Sequence, residues 1–124
     1  KDADIVLATD PDADRLGVYA KDPKTNEYVS FTGNMSALLI AEYILSEKKK
    51  RSTIPQNGSI VTTIVSSNLT GAIAKEYGIK MIETLTGFKY IGEQIKFFDQ
   101  EKSYEYLFGF EESYGCLARN TCKR

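Results

Sequence analysis

Short apolar runs alternate with amphipathic stretches along most of the chain. Residues 5–8 form a continuous apolar run that stops at Asp-Pro, which predicts a strand buried on both faces. Residues 16–20 and 28–31 predict two further strands, and the turn-rich connection between them predicts a hairpin. Apolar residues at helical spacing then predict a helix over 35–47, with Asn34 as its N-cap.

The second half of the chain has the same alternation of strand and helix patterns. Strands are predicted over 59–65, 79–83 and 104–110, and helices over 68–77 and 88–99. Strands that alternate with helices imply an α/β sheet with right-handed crossovers. The predicted fold class is therefore α/β, a three-layer α/β/α domain with a mixed, mostly parallel sheet.

Composition and charge exclude several classes of function. The 16 Lys and Arg residues nearly balance the 17 Asp and Glu residues, and the net charge of -1 argues against binding nucleic acid or acidic membranes through bulk charge. No apolar run approaches the ~20 residues that a membrane span needs. The absence of His removes Ser-His and Cys-His nucleophile pairs and every His-bearing zinc site.

Two features bear on the setting of the chain. Cys116 and Cys122 form neither a disulfide framework nor a four-ligand metal site, which indicates a reduced, cytoplasmic protein. The chain enters a strand pattern almost at once and has no initiator Met, so we expect a part of a larger protein. The basic run at 48–51 follows a predicted helix, where it is expected to complement the helix dipole and to face solvent.

Three carboxylates stand at alternate positions directly after the first predicted strand: Asp10, Asp12 and Asp14. Like charges this close repel unless a cation lies among them, and oxygen ligands favour Mg²⁺ or Ca²⁺ over zinc. An EF-hand is excluded because Arg15 and Lys21 stand where that loop needs Gly and Glu. Two alternatives stay open: an acidic solvent-facing loop, and a phosphatase with Asp10 as nucleophile and Asp12 as acid.

Two other polar segments follow predicted strands. Residues 87–92 have the glycine spacing of a P-loop, but Glu93 stands where Lys must follow, so that type of nucleotide site is rejected. A tight turn before a helix remains, with free N–H groups and Lys89 available for an anion. Residues 109–115 place Glu111, Glu112 and Ser113 between glycines. Carboxylates and hydroxyls of this kind can form hydrogen bonds with the hydroxyl groups of a sugar ring.

Taken together and in this order, the segments 10–15, 86–89 and 109–115 resemble three loops of the α-D-phosphohexomutases, the phosphoglucomutase and phosphomannomutase superfamily. They are similar to that family's magnesium loop, its substrate-proximal loop and its sugar-recognition loop. The resemblance implies that residues 1–20 are the last strand and metal loop of the family's second domain. Residues 21–124 would then be its third domain, and the chain would work with the remaining domains of the same protein.

The resemblance also implies a function and a role for each site residue. The whole enzyme would interconvert hexose 1-phosphate and 6-phosphate, with glucose phosphates favoured, through a phosphoserine and a bisphosphorylated sugar. Mg²⁺ would be held by the three aspartates, Asp10, Asp12 and Asp14. Arg15 and Lys89 would be catalytic cations. Thr86, Gly87, Glu111 and Ser113 would bind the sugar phosphate.

This sequence departs from the family in ways that matter for function. Pro11 stands where several members have Gly, and Phe88 stands where some members have His. The phosphoserine loop and the terminal phosphate-binding loop have no counterpart here, so the chain alone is expected to be inactive. A magnesium-dependent aspartyl-phosphate phosphatase and a non-catalytic sugar- or metal-binding module are the alternative functions.

Overall fold

Helices and strands follow one another along residues 3–118, the part of the chain that the computed structural model describes. In chain order they are β1 (Ile5–Thr9), β2 (Leu16–Lys21), β3 (Tyr28–Phe31), α1 (Gly33–Lys50), β4 (Gly58–Thr63), α2 (Leu69–Glu76), β5 (Lys80–Thr84), α3 (Phe88–Glu101), β6 (Glu105–Phe110) and β7 (Cys116–Ala118). Each predicted helix and strand is present, with ends shifted by a few residues. The short strand β7 was not predicted.

The strands form two sheets. One has the order β5-β4-β6-β7, in which β4 pairs in parallel with both β5 and β6, and β7 is antiparallel to β6. This sheet confirms the predicted mixed, mostly parallel α/β fold. The other sheet has the order β1-β2-β3 and is antiparallel throughout, so the predicted β2–β3 hairpin is also confirmed.

Helices cover both faces of the four-stranded sheet, which gives the predicted three layers. Successive residues of β4 point to opposite faces. Ile60 packs in a core with α1 and α2, whereas Val61 packs with Ile91 and Phe98 of α3. No helix among the described residues is long and apolar enough to cross a membrane.

An irregularity in β6 adjusts which side chains reach each face. Ser59 of β4 is paired with Tyr106 but Ile60 is paired with Phe108, so Leu107 is an extra residue. Such a β-bulge lets two successive residues share a face. Tyr106 therefore packs against α3, while Leu107 and Phe108 both pack in the core under α1 and α2.

The first strand differs from its prediction. β1 was expected to be buried on both faces, but Ile5 is 59% exposed and Leu7 is 61% exposed. β1 lies at the edge of the antiparallel sheet and pairs with β2 alone among the described strands, so one side of its backbone and its side chains are uncovered. The predicted boundary at 20/21 falls inside β2, whose last residue is Lys21.

The start of α1 also differs from its prediction. Thr32, not Asn34, is the N-cap, and its hydroxyl accepts a hydrogen bond from Met35 N at 3.2 Å. Asn34 lies inside the helix, where its Oδ1 accepts a hydrogen bond from Ser67 N at 3.2 Å. The Asn34 side chain thus joins the start of α1 to the loop that follows β4.

The end of α1 agrees with the expectation for its basic run. Lys48, Lys49 and Lys50 occupy the last turn, where positive charge is favourable. Glu47 lies 2.7 Å from Lys50 and 3.6 Å from Arg51, and these exposed partners lower the pKa of the Glu47 carboxyl. The run is a solvent-facing helix terminus.

Gly33, the first residue of α1, touches the turn that follows β6. A Cβ built on Gly33 would lie 2.1 Å from Glu112 O and 2.6 Å from Tyr114 N. Both atoms belong to the backbone, so neither can be moved by a side-chain rotation. Only glycine allows α1 to begin this close to the turn.

We expect Gly33→Ala to lower the free energy of unfolding by about 1–3 kcal/mol or more, because two backbones must separate to admit the methyl group. Gly92→Ala is the matched control, since Gly92 lies within α3 and a Cβ there meets nothing within 4 Å. It should raise stability by about 0.5–1 kcal/mol through helix propensity. Chemical denaturation of both variants measures the difference, and equal effects would contradict the close approach at Gly33.

Candidate functional site

The parallel strands β5, β4 and β6 end at the same edge of the sheet. Ligands of open α/β sheets bind outside the carboxyl ends of such strands. The loop of residues 85–87, here called the β5–α3 loop, lies at this edge, as does the β6–β7 turn, residues 111–115. The aspartate loop, residues 10–15, joins β1 to β2 and reaches the same place through the contacts described next.

Glu111 joins the β6–β7 turn to the β5–α3 loop. Its side chain is buried, with 8% of the residue exposed, and its Oε1 accepts a hydrogen bond from Gly87 N at 2.5 Å. Hydrogen bonds to a charged acceptor are among the stronger ones in proteins. The structure therefore places two predicted sugar-binding residues, Glu111 and Gly87, in direct contact, with Thr86 exposed beside them.

The β6–β7 turn is also bonded to the aspartate loop. Leu16 N donates to Tyr114 O at 3.1 Å, and Arg15 forms an isolated antiparallel bridge with Gly115. The turn itself is closed by a hydrogen bond from Glu111 N to Gly115 O at 2.9 Å. All three segments that the sequence analysis singled out thus meet at this turn.

Phe88 packs against the same turn. A Cβ on Gly115 would lie 2.0 Å from Cε2 of the Phe88 ring. Phe88 also packs against the core between the sheet and α3. Phe88 therefore supports the turn through aromatic packing, and the glycine opposite makes room for its ring.

Within the aspartate loop, short backbone contacts surround Asp10. Arg15 N donates to Asp10 Oδ1 at 3.3 Å, and Ala13 N donates to Asp10 O at 3.1 Å. Ala13 has φ of 58°, in the left-handed region that favours glycine. Asp10 and Arg15 line a concave pocket of about 250 Å³, which Tyr114 of the β6–β7 turn also lines.

The donor atoms of the aspartate loop suit Mg²⁺, because all are carboxylate oxygens. Asp12 and Asp14 are exposed and Asp10 is half-buried. Across residues 3–118 no three His, Cys, Asp or Glu side chains come close enough together to hold a metal ion. The chemistry of the loop therefore fits the ion, but the described chain does not gather the three carboxylates around one point.

Lys89 and Ser113 are the remaining predicted site residues. Lys89 lies in the first turn of α3, exposed, with its Nζ 4.7 Å from the centroid of the Tyr90 ring. Ser113 lies half-buried in the β6–β7 turn. Both belong to segments at the carboxyl edge of the sheet.

Two titratable groups beside the turn stay neutral at ordinary pH. Burial raises the pKa of Tyr106, whose hydroxyl donates to Leu117 O at 2.6 Å. Burial also raises the pKa of the Cys116 thiol.

Sequence reasoning missed two residues that shape this site. The sequence around Gly33 indicated only that a helix follows it, and not that it contacts the β6–β7 turn. Thr63, the last residue of β4, is buried and donates a hydrogen bond from Oγ1 to Glu112 Oε2 at 3.0 Å. The signal that could have identified Thr63 was its hydroxyl at the end of a buried strand, next to a strand that two glutamates follow.

The chain is similar to known proteins in sequence and in structure. The family described as phosphoglucomutase/phosphomannomutase, alpha/beta/alpha domain III, matches residues 32–123. A phosphoglucomutase of Staphylococcus epidermidis is 40% identical over 118 residues, covering 95% of this chain and 20% of the relative. A phosphomannomutase of Mycoplasma pneumoniae is 36% identical over 122 residues, covering 98% of this chain and 21% of the relative. The chain thus spans about a fifth of these curated relatives.

Solved structures share the fold. A phosphoglucomutase/phosphomannomutase family protein of Burkholderia thailandensis superposes with a TM-score of 0.68 at 20% identity, covering 96% of this chain and 22% of that one. The Aspergillus fumigatus N-acetylphosphoglucosamine mutase, in complex with GlcNAc-6P and magnesium, gives a TM-score of 0.64 at 21% identity, covering 89% of this chain and 20% of that one.

The fold and its loops define a three-layer α/β domain with a ligand-site edge at the carboxyl ends of its parallel strands. The chain belongs to the phosphoglucomutase/phosphomannomutase family, and its residues 32–123 are the third domain of that family. The resemblance found in the sequence is therefore confirmed for the family and for its third domain.

We expect Glu111→Ala to lower the free energy of unfolding by about 1–3 kcal/mol, because it removes the acceptor for the N–H of the half-buried Gly87. Glu83→Ala is the control, since Glu83 is exposed in β5; it should change stability by less than about 0.5 kcal/mol. Equilibrium denaturation compares the two. If Glu111→Ala is as mild as its control, Glu111 does not hold the β5–α3 loop.

Proposed function

We propose that the longer protein to which this chain belongs is a phosphohexomutase, which interconverts hexose 1-phosphate and hexose 6-phosphate. The observation that carries the proposal is the β6–β7 turn, because its hydrogen bonds join the aspartate loop, the β5–α3 loop and the glutamates at one edge of the sheet. The phosphoserine comes from another domain of the same chain. This segment supplies the groups that hold the sugar and the metal.

Each residue of the site has a role in this proposal. Glu111 and Ser113 bind ring hydroxyls, because carboxylates accept and hydroxyls both donate and accept hydrogen bonds. Thr86 and Gly87 line the same pocket. Arg15 and Lys89 supply positive charge to the transferring phosphoryl group, whose loose transition state needs positioning and charge stabilisation more than covalent chemistry.

Asp10, Asp12 and Asp14 would hold Mg²⁺, with a phosphoserine oxygen as a further ligand. When bound, the ion would neutralise negative charge on the phosphoryl group. Mg²⁺ retains its water and is seldom held by an all-protein cage. One half-buried and two exposed carboxylates on one short loop therefore suit a shared site better than a self-sufficient one.

Glucose phosphates are the favoured substrates of this proposal, since the Glu-Glu-Ser sequence of the β6–β7 turn resembles that of glucose-type mutases. A solved relative of similar fold holds GlcNAc-6P and magnesium, which supports the class of ligand. A cytoplasmic location suits two cysteines without a disulfide framework. Nucleic acid and membranes are not among the proposed partners.

The remaining domains of the same protein are the proposed partners. Residues 1–20 would end the second domain and residues 21–124 would form the third. The exposed apolar side chains of β1, Ile5, Val6 and Leu7, support a neighbouring part of the longer protein on this side. A strand of the second domain that paired with β1 would complete its backbone hydrogen bonds, and elements packed on the faces of the extended sheet would cover these side chains.

The 124-residue chain alone should convert no glucose 1-phosphate to glucose 6-phosphate, because it lacks the phosphoserine. A coupled assay of the purified chain, with the longer protein as positive control, measures this. Turnover by the chain alone would overturn the division of the site between domains.

A second experiment tests the alternative function. Trapping of Asp10 as a beryllium fluoride adduct would favour an aspartyl-phosphate phosphatase over a mutase.

Asp12→Asn should abolish mutase activity of the longer protein while leaving the stability of the isolated chain unchanged or slightly higher, because it removes repulsion among exposed carboxylates. Calorimetric titration of the chain with Mg²⁺ should show weak binding in both the original and the variant. Tight binding that Asp12→Asn removes would mean that the loop is a complete metal site by itself.

A further inference from the structure

A chain of hydroxyl groups connects the end of β4 to the β6–β7 turn. Thr63 Oγ1 lies 2.9 Å from Ser66 Oγ and 3.0 Å from Glu112 Oε2. An ionised carboxylate can only accept, and a hydroxyl has a single proton to donate. Thr63 therefore donates to Glu112, and Ser66 donates to Thr63, so the hydrogen bonds run in one direction from Ser66 to the carboxylate.

The buried Thr63 at the centre of these hydrogen bonds, with Ser66 and Glu112 half-buried on either side of it, makes this relay a rigid support. Thr63 is fully buried at the end of the central strand β4, between β5 and β6. The turn of residues 63–66 is closed by a hydrogen bond from Ser66 N to Thr63 O at 2.9 Å, which fixes the first donor. On the opposite side of Glu112, its carbonyl oxygen faces Gly33 so closely that no side chain fits between them. The hydrogen bond from Thr63 thus fixes the side chain of Glu112, and the close contact with Gly33 fixes its backbone.

We propose that Thr63 is a positioning residue of the sugar site and acts through Glu112. The proposal rests on the proposed mutase function. Glu112 lies between the two residues that would bind the sugar, Glu111 and Ser113, so the hydrogen bond from Thr63 helps to fix the backbone that carries both. Displaced sugar-binding groups lose hydrogen bonds that are made equally to substrate and transition state, so KM is expected to rise with little change in kcat.

The test compares Thr63→Val, which removes the hydroxyl at nearly constant volume, with Thr63→Ser, which keeps it. In the longer protein with glucose 1-phosphate, Thr63→Val should raise KM by about five- to twentyfold with kcat changed by less than about threefold. Thr63→Ser should restore KM to within about twofold of the original. A residue that served stability alone would change the melting temperature without this selective change in KM.

Thr62→Val is the matched control. Thr62 precedes Thr63 in β4 and is equally buried, but its hydroxyl has no hydrogen-bond partner among residues 3–118. Its replacement should leave KM and kcat unchanged, because no hydrogen bond is lost. An increase in KM equal to that of Thr63→Val would overturn the proposal, since both would then report general packing.

A second pair of variants tests the relay if Thr63→Val does not fold. Glu112→Ala removes the acceptor and should raise KM as Thr63→Val does, while Glu112→Gln keeps an acceptor oxygen and should restore most of it. Where both single variants fold, the double variant should be no worse than either, because the two act through one contact. Unchanged KM in Glu112→Ala, or additive effects in the double variant, would overturn the proposal.

The proposed function has its own contrary outcome. If the unaltered longer protein showed no mutase turnover, the proposed function itself would be overturned.

Discussion

The closure of the β6–β7 turn by one backbone hydrogen bond, from Glu111 N to Gly115 O, is the constraint on which the candidate site depends. A turn this short exposes its remaining polar groups in fixed directions. The Glu111 carboxylate faces Gly87, the Glu112 carboxylate faces Thr63, and Tyr114 O faces Leu16 N. Three neighbouring segments are thereby set relative to one another by a single small loop.

Backbone strain accompanies this arrangement. Tyr114 in the turn has φ of 70° and Ala13 in the aspartate loop has φ of 58°. The left-handed region costs a residue with a side chain roughly 1–2 kcal/mol, and such residues concentrate at functional sites. Here the bonds from Glu111 to Gly115 and from Ala13 to Asp10 hold the two strained residues in place. Two of the five non-glycine residues with positive φ among residues 3–118 thus lie at the ligand-site edge, whereas Asn26, Ser52 and Lys102 lie in connections elsewhere.

Local patterns were sufficient to predict most of the fold and to single out the three segments that meet at the candidate site. Alternating strand and helix patterns identified β4 to β6 with their helices, because burial on a parallel sheet leaves a clear apolar signal. The same signal was misleading at β1, since apolar composition does not reveal which neighbour covers a strand. Asn34 was wrongly assigned as a cap because Thr32 and Asn34 are both good capping residues. The roles of Thr63 and Gly33 were not predicted, because their contacts join residues far apart in the sequence and no local pattern encodes such contacts.

The close approach of Gly33 to Glu112 has a consequence for the exchange of parts between related enzymes. Residues 111–115 moved alone into a related protein would meet a different helix start and a different strand end, and would lose the contacts that hold their shape. The unit that fixes the shape of the turn is therefore discontinuous in sequence: the turn of residues 111–115, the start of α1 at 32–34 and the end of β4 at 63–66. A chimaera is expected to keep this geometry only where all three segments are transferred together.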